Sequence, residues 1–434
     1  MNPQHWGIVG GGLLGMRLAQ RLRERGHRIT LLEAAPHLGG LASAWSLGDI
    51  VWDRHYHVIL MSDAHTVGLV RDLGLEGDLR WVETKTGFYT DGKLVSMSNS
   101  WEFLKFPPLG LIDKFRLALT IMRASRIKDW SYLEELSVYD WLKKWSGRRT
   151  TEKIWLPLLR SKLGENYRIA SAAFIWAIIA RMYAARRSGL KKEMFGYVHG
   201  GYARILERYA ERLTKDGVAI ELNQRVRGIR IAGAGVQVET DQGTREFDRI
   251  VVTAAAPLAS RLLPDLNDDE QKRLKGVTYQ GIVCASVLLK KPLAHYYVTN
   301  ITETWVPFTA VIEMTALVDP QEFGGRHLVY LPKYVAPDDP LFEESEASIR
   351  ERFLAALAKM YPQFQHDDVL EFQVSRVRQV FAVSTLHYSK NVPPIATSLP
   401  GVYLVNSAHI INGTLNVNET LQLAERSLSS IDPT

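Results

Sequence analysis

The sequence predicts an α/β protein in which a nucleotide-binding parallel sheet, assembled from separated stretches of chain, carries a second, discontinuous α+β domain. Three observations predict it. A glycine-rich strand-turn-helix opens the chain, a carboxylate ends the next strand, and strand-like stretches return at 218–253 and 401–406 after long intervals of different pattern. The opening stretch is Trp6-Gly7-Ile8-Val9-Gly10-Gly11-Gly12-Leu13-Leu14-Gly15, read as a buried strand, a tight turn and a helix with Leu14, Leu18 and Leu22 on one face. Gly10 permits the sharp turn, Gly12 lets backbone approach a pyrophosphate, and Gly15 lets the helix lie close to the sheet. The unpaired N–H groups of the first turn, from Leu13 and Leu14 onward, are then free to receive an anion.

The helix stops at Gly26, and Arg28-Ile29-Thr30-Leu31-Leu32 reads as the second strand of a Rossmann-like unit. Glu33 stands at its end, 18 residues after Gly15, where a carboxylate accepts hydrogen bonds from an adenosine ribose. Ala34-Ala35-Pro36-His37-Leu38-Gly39-Gly40-Leu41-Ala42-Ser43 follows.

With this acid and the paired glycines Gly39-Gly40, the chain resembles the FAD-dependent amine oxidase and protoporphyrinogen oxidase superfamily, and shares the same motif with UDP-galactopyranose mutase. The resemblance implies FAD rather than NAD, with the flavin half laid against Gly39, Gly40, Leu41 and Ala42, and Ala34 beside the ribose acid Glu33. It implies that Asp53-Arg54-His55-Tyr56-His57-Val58-Ile59 runs past the isoalloxazine ring, with His57, then His55, as candidate proton acceptors. The backbone of Val226 is expected at the adenine edge and Asn406 beside the ribityl chain, in place of the usual aspartate. The helix start at Asn416-Val417-Asn418 is expected to aim N–H groups and dipole at the flavin pyrimidine ring.

The rest of the chain is read in order. Trp45 to Trp52 predicts a hairpin around Gly48-Asp49, Leu69 to Leu75 a short helix closed at Gly74, and Glu83 to Val95 a hairpin turning at Asp91-Gly92. Pro107-Pro108 introduces a helix with Leu111, Phe115, Ala118, Leu119 and Met122 on one face and Lys114, Arg116, Arg123, Arg126 and Lys128 around it. The expectation is that the apolar face lies in the core with the charges solvated; a helix on a membrane surface is the alternative. Trp141, Trp145, Trp155 and Trp176 continue the helical region as core or as the lining of an apolar substrate cavity. Strands are expected within 218–253, then longer ones at Val277–Leu289, Trp305–Glu313, His327–Leu331 and Glu371–Val377, interrupted by a helix over Glu344–Met360. The resulting organisation places nucleotide-binding segments at 1–75, 200–264 and 395–434, a helical part of the substrate domain at 76–199 and its sheet at 265–394.

Composition narrows the functional classes. The 434 residues are 46% hydrophobic and 23% charged, with net charge +6, ordinary for a folded protein and too mild to argue for nucleic acid. His55 and His57 lack a third ligand nearby, so no metal is expected. The single cysteine, Cys284, sits in a strand-like run, which excludes an intramolecular disulfide and predicts noncovalent FAD. A strand beginning by Trp6 leaves no room for a signal peptide, and the longest clean apolar run, Ala172 to Ala180, is too short to span a bilayer; a cytoplasmic protein is expected, with peripheral membrane contact as the alternative. The reading is a FAD-dependent oxidoreductase taking hydride from a small-molecule substrate, large and apolar given the aromatic helices. A redox-neutral isomerase similar to UDP-galactopyranose mutase and a flavin-binding protein without turnover are the competing readings.

Overall fold

The computed structural model describes residues 3–187, 194–411 and 413–433. The N-terminal half begins β1 (His5–Val9), α1 (Leu13–Glu24), β2 (Arg28–Leu32), β3 (Ala44–Leu47), β4 (Ile50–Asp53), α2 (Ala64–Asp72), β5 (Thr86–Thr90) and β6 (Lys93–Ser96). Helices α3 (Ser100–Lys105), α4 (Leu111–Ala124) and α5 (Ala172–Arg187) follow, with shorter helical pieces between α4 and α5. Then come α6 (Gly201–Lys215), β7 (Ala219–Glu221), β8 (Val226–Ala232), β9 (Arg249–Val252), β10 (Tyr279–Leu289), β11 (Val298–Ile301), β12 (Ala310–Glu313), β13 (His327–Val335), β14 (Val369–Ala382), β15 (Val402–Leu404) and α7 (Val417–Ile431).

Two sheets organise the chain. The first is parallel throughout, in the order β7-β2-β1-β9-β15, so its strands come from three distant parts of the sequence. Trp6, Ile8, Leu31, Val251 and Val252 are buried, as a parallel sheet covered on both faces requires. Helix α1 packs Leu14, Leu18 and Leu22 into one cluster with Ile205 and Tyr209 of α6 and Leu421 and Leu428 of α7. Glu425 of α7 is clamped by Arg17 at 2.6 Å and Arg21 at 2.9 Å. The last helix is thereby tied to the first.

The second sheet has seven strands in the order β14-β10-β13-β12-β11-β5-β6, antiparallel except for β11 beside β5. Strand β10 is buried along its whole length and alternates between two cores. Ile282, Cys284 and Leu288 join the helical region on one face, while Val283, Ala285, Val287 and Leu289 meet Phe353 and Leu357 of the helix Glu346–Met360 on the other. A period of two with both sides covered gives a continuous apolar run. The hairpin at 86–96 belongs to this sheet, turning at Asp91-Gly92, both with positive φ.

One element departs from expectation in a physically informative way. The apolar face of α4 does not enter the core: Leu111, Ile112, Phe115, Leu119 and Met122 are exposed, whereas Lys114, Leu117, Thr120 and Ala124 are buried. The buried Lys114 ammonium donates to the Leu104 carbonyl at 2.7 Å, which satisfies the charge on a face whose Leu117 packs into the core. The four expected strand spans of the second sheet also differ at their ends: Val277–Leu289 begins at Tyr279, Trp305–Glu313 is strand only at Ala310–Glu313, His327–Leu331 extends to Val335, and Glu371–Val377 extends to Val369–Ala382.

Candidate cofactor and active site

The glycine turn has the geometry of an anion cradle. Gly10 has φ +111°, and a side chain there would strike Thr253 Oγ1 at 2.3 Å, the hydroxyl that donates to the Val9 carbonyl. A Cβ on Gly15 would lie 1.9 Å from the Gly10 carbonyl oxygen, so the helix can approach the turn only with glycine. Gly12 differs: a Cβ there would meet only the Gly40 Cα, at 3.9 Å. The space before the helix is bounded by two glycine backbones. Helix α1 has no side-chain cap and no acid in its first turn, and its first intrahelical bond is Met16 N–H to the Gly12 carbonyl. The Leu13, Leu14 and Gly15 N–H groups lie outside the ladder, with their partial positive charge uncompensated.

The paired glycines close over this turn. The Gly39 N–H donates to the Gly11 carbonyl at 2.9 Å, and Gly12 and Gly39 pair as an isolated parallel bridge. Both paired glycines have positive φ, and a Cβ on Gly39 would meet Leu206 at 2.4 Å. Gly40, Leu41 and Ala42 form one short helical turn beyond them.

Glu33 is pinned at the end of β2. One carboxylate oxygen accepts the Gly11 N–H at 2.6 Å and the other the Ala35 N–H at 2.8 Å. Its backbone bonds Glu221 and Gln224, which brings Ala34 and the start of β8 at Val226 to the same edge. Gln224, which the sequence reading did not single out, is buried there with its side-chain carbonyl unpartnered among the described residues.

The C-terminal asparagines spend their side chains on the protein. Asn406, just after β15, accepts from Ala408 N–H at 3.0 Å and donates to the Ala254 carbonyl at 2.8 Å. Asn416 caps α7 by accepting from Glu419 N–H at 3.0 Å. Asn418 reaches across to cap α2, accepting from His65 N–H at 2.9 Å. What Asn416, Val417 and Asn418 leave free for a ligand is the first-turn backbone of α7. Glu419 of that turn is partly buried and its carboxyl pKa raised by desolvation, opposed by Arg181 and Arg426 nearby.

The two candidate histidines have different surroundings. His55 is buried and its pKa falls to about 3, chiefly through desolvation and then through neighbouring His57. Its Nδ1–H donates to the Leu41 carbonyl at 3.3 Å, and its Nε2 accepts from Ser375 Oγ at 3.1 Å. Both nitrogens are occupied in the neutral ring, which leaves His55 a strut rather than the second proton acceptor expected from sequence. His57 is only partly buried, with Nδ1 3.7 Å from Asp53 Oδ2 and no hydrogen-bond partner among the described residues. Its ring lies 5.0 Å from that of Tyr202. Asp53 accepts from the Tyr202 N–H at 2.8 Å, and its carbonyl accepts from the Tyr330 hydroxyl at 2.5 Å. Asp53 is the functional candidate missed in the sequence, although its position four residues before His57 was visible.

On the other side of this segment lies an aromatic group drawn from four stretches of chain, with a lysine from a fifth. The Tyr56 hydroxyl meets that of Tyr334 at 2.7 Å, Tyr334 packs edge-on against Phe381, and Phe381 stacks with Phe174 of α5. Lys162 sits over Tyr334 and Phe381, its ammonium 4.8 and 5.7 Å from the ring centres.

Residues 15–416 match the family described as flavin containing amine oxidoreductase. The chain belongs to that family. A 15-cis-phytoene desaturase of Arabidopsis thaliana is 25% identical over 281 residues, 59% of this chain and 49% of that protein; the chain spans about half the length of the curated relatives it matches at this level. Among solved structures, a protein from Exiguobacterium sp. 255-15 named for protoporphyrinogen oxidase superposes with a TM-score of 0.79 at 19% identity, covering 99% of each chain. Reduced UDP-galactopyranose mutase superposes at 0.75 with 14% identity, covering 100% of this chain and 95% of that one. These likenesses show the shared fold.

The cofactor of this amine oxidoreductase is FAD, held noncovalently. The residues fit it. The cradle between Gly12 and Gly40 admits no side chain without being filled, the α1 N-terminus is uncapped, and Ser43 Oγ and Arg54 Nε are buried without partners among the described residues. The lone thiol, Cys284, is buried in the middle of β10 and its pKa is pushed up by desolvation, so it stays protonated within the sheet.

Proposed function

We propose that this amine oxidoreductase removes hydrogen from the carbon skeleton of a large, apolar substrate. The observation that carries the reading is the chemistry opposite the 53–58 segment. Tyr56, Tyr334, Phe381 and Phe174 line up against a core containing Ile282, Cys284 and Val383, and the cation among them is Lys162. An ammonium substrate would meet like charge there, whereas an uncharged chain would meet aromatic surface. The phytoene desaturases among its relatives support the same class of substrate.

FAD, when bound, supplies a two-electron acceptor. The Leu13, Leu14 and Gly15 N–H groups would hold its pyrophosphate, Glu33 its ribose, and the first turn of α7 its pyrimidine edge. Of the chain's own groups, His57 accepts the proton released as the C–H bond is oxidised, and Asp53 at 3.7 Å stabilises the resulting imidazolium. His55 holds the segment in place through Leu41 and Ser375.

The test is an anaerobic screen of the FAD-loaded protein with detergent-dispersed polyenes, a diamine and UDP-galactopyranose, watching the flavin bands and analysing products. Bleaching by polyenes with formation of a new double bond is expected. Bleaching by the diamine alone would overturn the substrate class, and sugar ring interconversion without net bleaching would establish the isomerase reading in its place.

A further inference from the structure

We propose that α3 and α4 form a docking face for an anionic lipid surface. The inference rests on surface chemistry alone and is independent of the substrate reading above.

Leu111, Ile112, Phe115, Ala118, Leu119 and Met122 recur at the spacing of one helical stripe, and every one of them is exposed. Leu111, Ile112 and Phe115 are 77%, 78% and 70% accessible. Trp101 and Leu104 of α3 add two more exposed apolar side chains, at 65% and 51%. Lys114 joins the helices by donating to the Leu104 carbonyl, and Arg116 turns back to donate to the Lys144 carbonyl at 3.0 Å. Scattered apolar side chains on a surface are ordinary; a helix that buries Lys114 and turns a whole apolar stripe outward is not.

The charges select the occupant. Between residues 100 and 130 there are six basic and three acidic side chains. All three acids are engaged: Glu102 accepts from Ser96 Oγ and Ser98 N–H, Asp113 accepts from Gly110 N–H and lies 3.7 Å from Arg149, and Asp129 accepts from Ser131. Arg126 and Lys128 are exposed and have no ion-pair partner among the described residues. Lys105 lies over the Trp101 ring and exposed Arg123 over Trp145. A second copy joined by a twofold axis would set these basic rims against each other, whereas an anionic leaflet complements them. No helix among the described residues is long and apolar enough to cross a membrane. A 14-residue helix is about 21 Å long, suited to lying in the interface with its apolar stripe among the acyl chains.

The full-length, FAD-loaded protein should cosediment with phosphatidylcholine vesicles containing phosphatidylglycerol at low salt, bind pure phosphatidylcholine more weakly, and release as salt rises. Ile112→Glu with Phe115→Glu should cut partitioning by about tenfold or more, because it removes the inserted area. Arg126→Glu with Lys128→Glu should abolish much of the salt-sensitive component, again by about tenfold on anionic vesicles. Both variants alter exposed positions, so unfolding temperature and flavin spectrum serve as the check that the fold is intact. Failure of the wild-type protein to bind anionic vesicles at low salt would overturn the proposal, as would wild-type binding by a folded Ile112→Glu, Phe115→Glu variant. A wild-type dimer that this variant dissociates, without vesicle binding by either, would assign the face to a second copy instead.

Discussion

Replacing Gly12 by alanine should separate cofactor binding from folding. Gly12 has φ −71° and ψ 172°, an extended conformation that alanine adopts without strain, and the new methyl carbon would meet only Gly40 Cα at 3.9 Å, an ordinary van der Waals contact. The apoprotein should therefore be within about 0.5 kcal/mol of wild type, or gain up to about 1 kcal/mol because the unfolded chain loses freedom. The same methyl stands in the cradle before the helix N-terminus, where backbone has to meet a pyrophosphate; FAD affinity should fall by about 100-fold, or about 2.7 kcal/mol. Gly15→Ala is the counter-example. Its methyl would lie 1.9 Å from the Gly10 carbonyl oxygen, and opening that gap should cost the fold about 2–3 kcal/mol. FAD titration by fluorescence and thermal unfolding of both apoproteins measure the two quantities. A Gly12→Ala protein that binds FAD like wild type would refute the placement of the pyrophosphate, and one that unfolds like Gly15→Ala would refute the packing argument.

Glu33→Gln should weaken FAD binding by about 1.5–3 kcal/mol, the worth of hydrogen bonds to a charged group, and an unchanged dissociation constant would detach Glu33 from the ribose. His57→Ala should keep its flavin while single-turnover reduction by a working substrate slows by about 10²–10⁴-fold; full occupancy with an unchanged rate would remove His57 from proton transfer. Acid should destabilise the fold through two buried histidines, His55 and His409, whose pKa values fall to about 3 and about 4 on burial. Below the ordinary value of 6.5 the unfolded chain binds protons that the folded one refuses, so stability falls as pH drops and levels off below the folded values. From about pH 7 to about pH 5 the loss is about 2 kcal/mol for each histidine. Denaturant unfolding at both pH values measures it, and a His55→Gln, His409→Gln variant with the wild-type pH slope would show that these groups are not its source.

How much was legible depended on the sequence distance between partners. Gly10, Gly12, Gly15, Glu33 and the pair Gly39-Gly40 act within 30 residues of one another, and their turn, helix and strand preferences agree, so the cradle could be read from local pattern. The role of His55 could not, because its burial and its Nε2 partner come from Ser375 on β14, 320 residues away. Asn418 illustrates the same limit: the start of the last helix could be read from the sequence, but the bond by which its side chain caps α2, more than 350 residues away, could not. The inverted face of α4 was hidden for another reason. Periodicity identifies the apolar stripe but not the side on which the protein lies, and Lys114 reverses the ordinary choice by finding the Leu104 carbonyl.

The stretch from Asp53 to Val58 joins the parts that those separate arguments describe. Its successive side chains point to different bodies: His55 to the Leu41 carbonyl beyond the paired glycines and to β14, Tyr56 to Tyr334 on β13, and His57 to Tyr202 at the start of α6. His55 alone bonds the glycine turn to the seven-stranded sheet, and Tyr56 adds a second hydrogen bond to that sheet. The local consequence is that His55 cannot be altered without loosening the cofactor side and the substrate side at once, since Leu41 and Ser375 both lose their partner. His57, with a free nitrogen and a single carboxylate at 3.7 Å, has no such double duty. A rate change in a His57 variant at full flavin occupancy therefore reports on proton transfer, whereas the same change in a His55 variant reports on the alignment of two sheets.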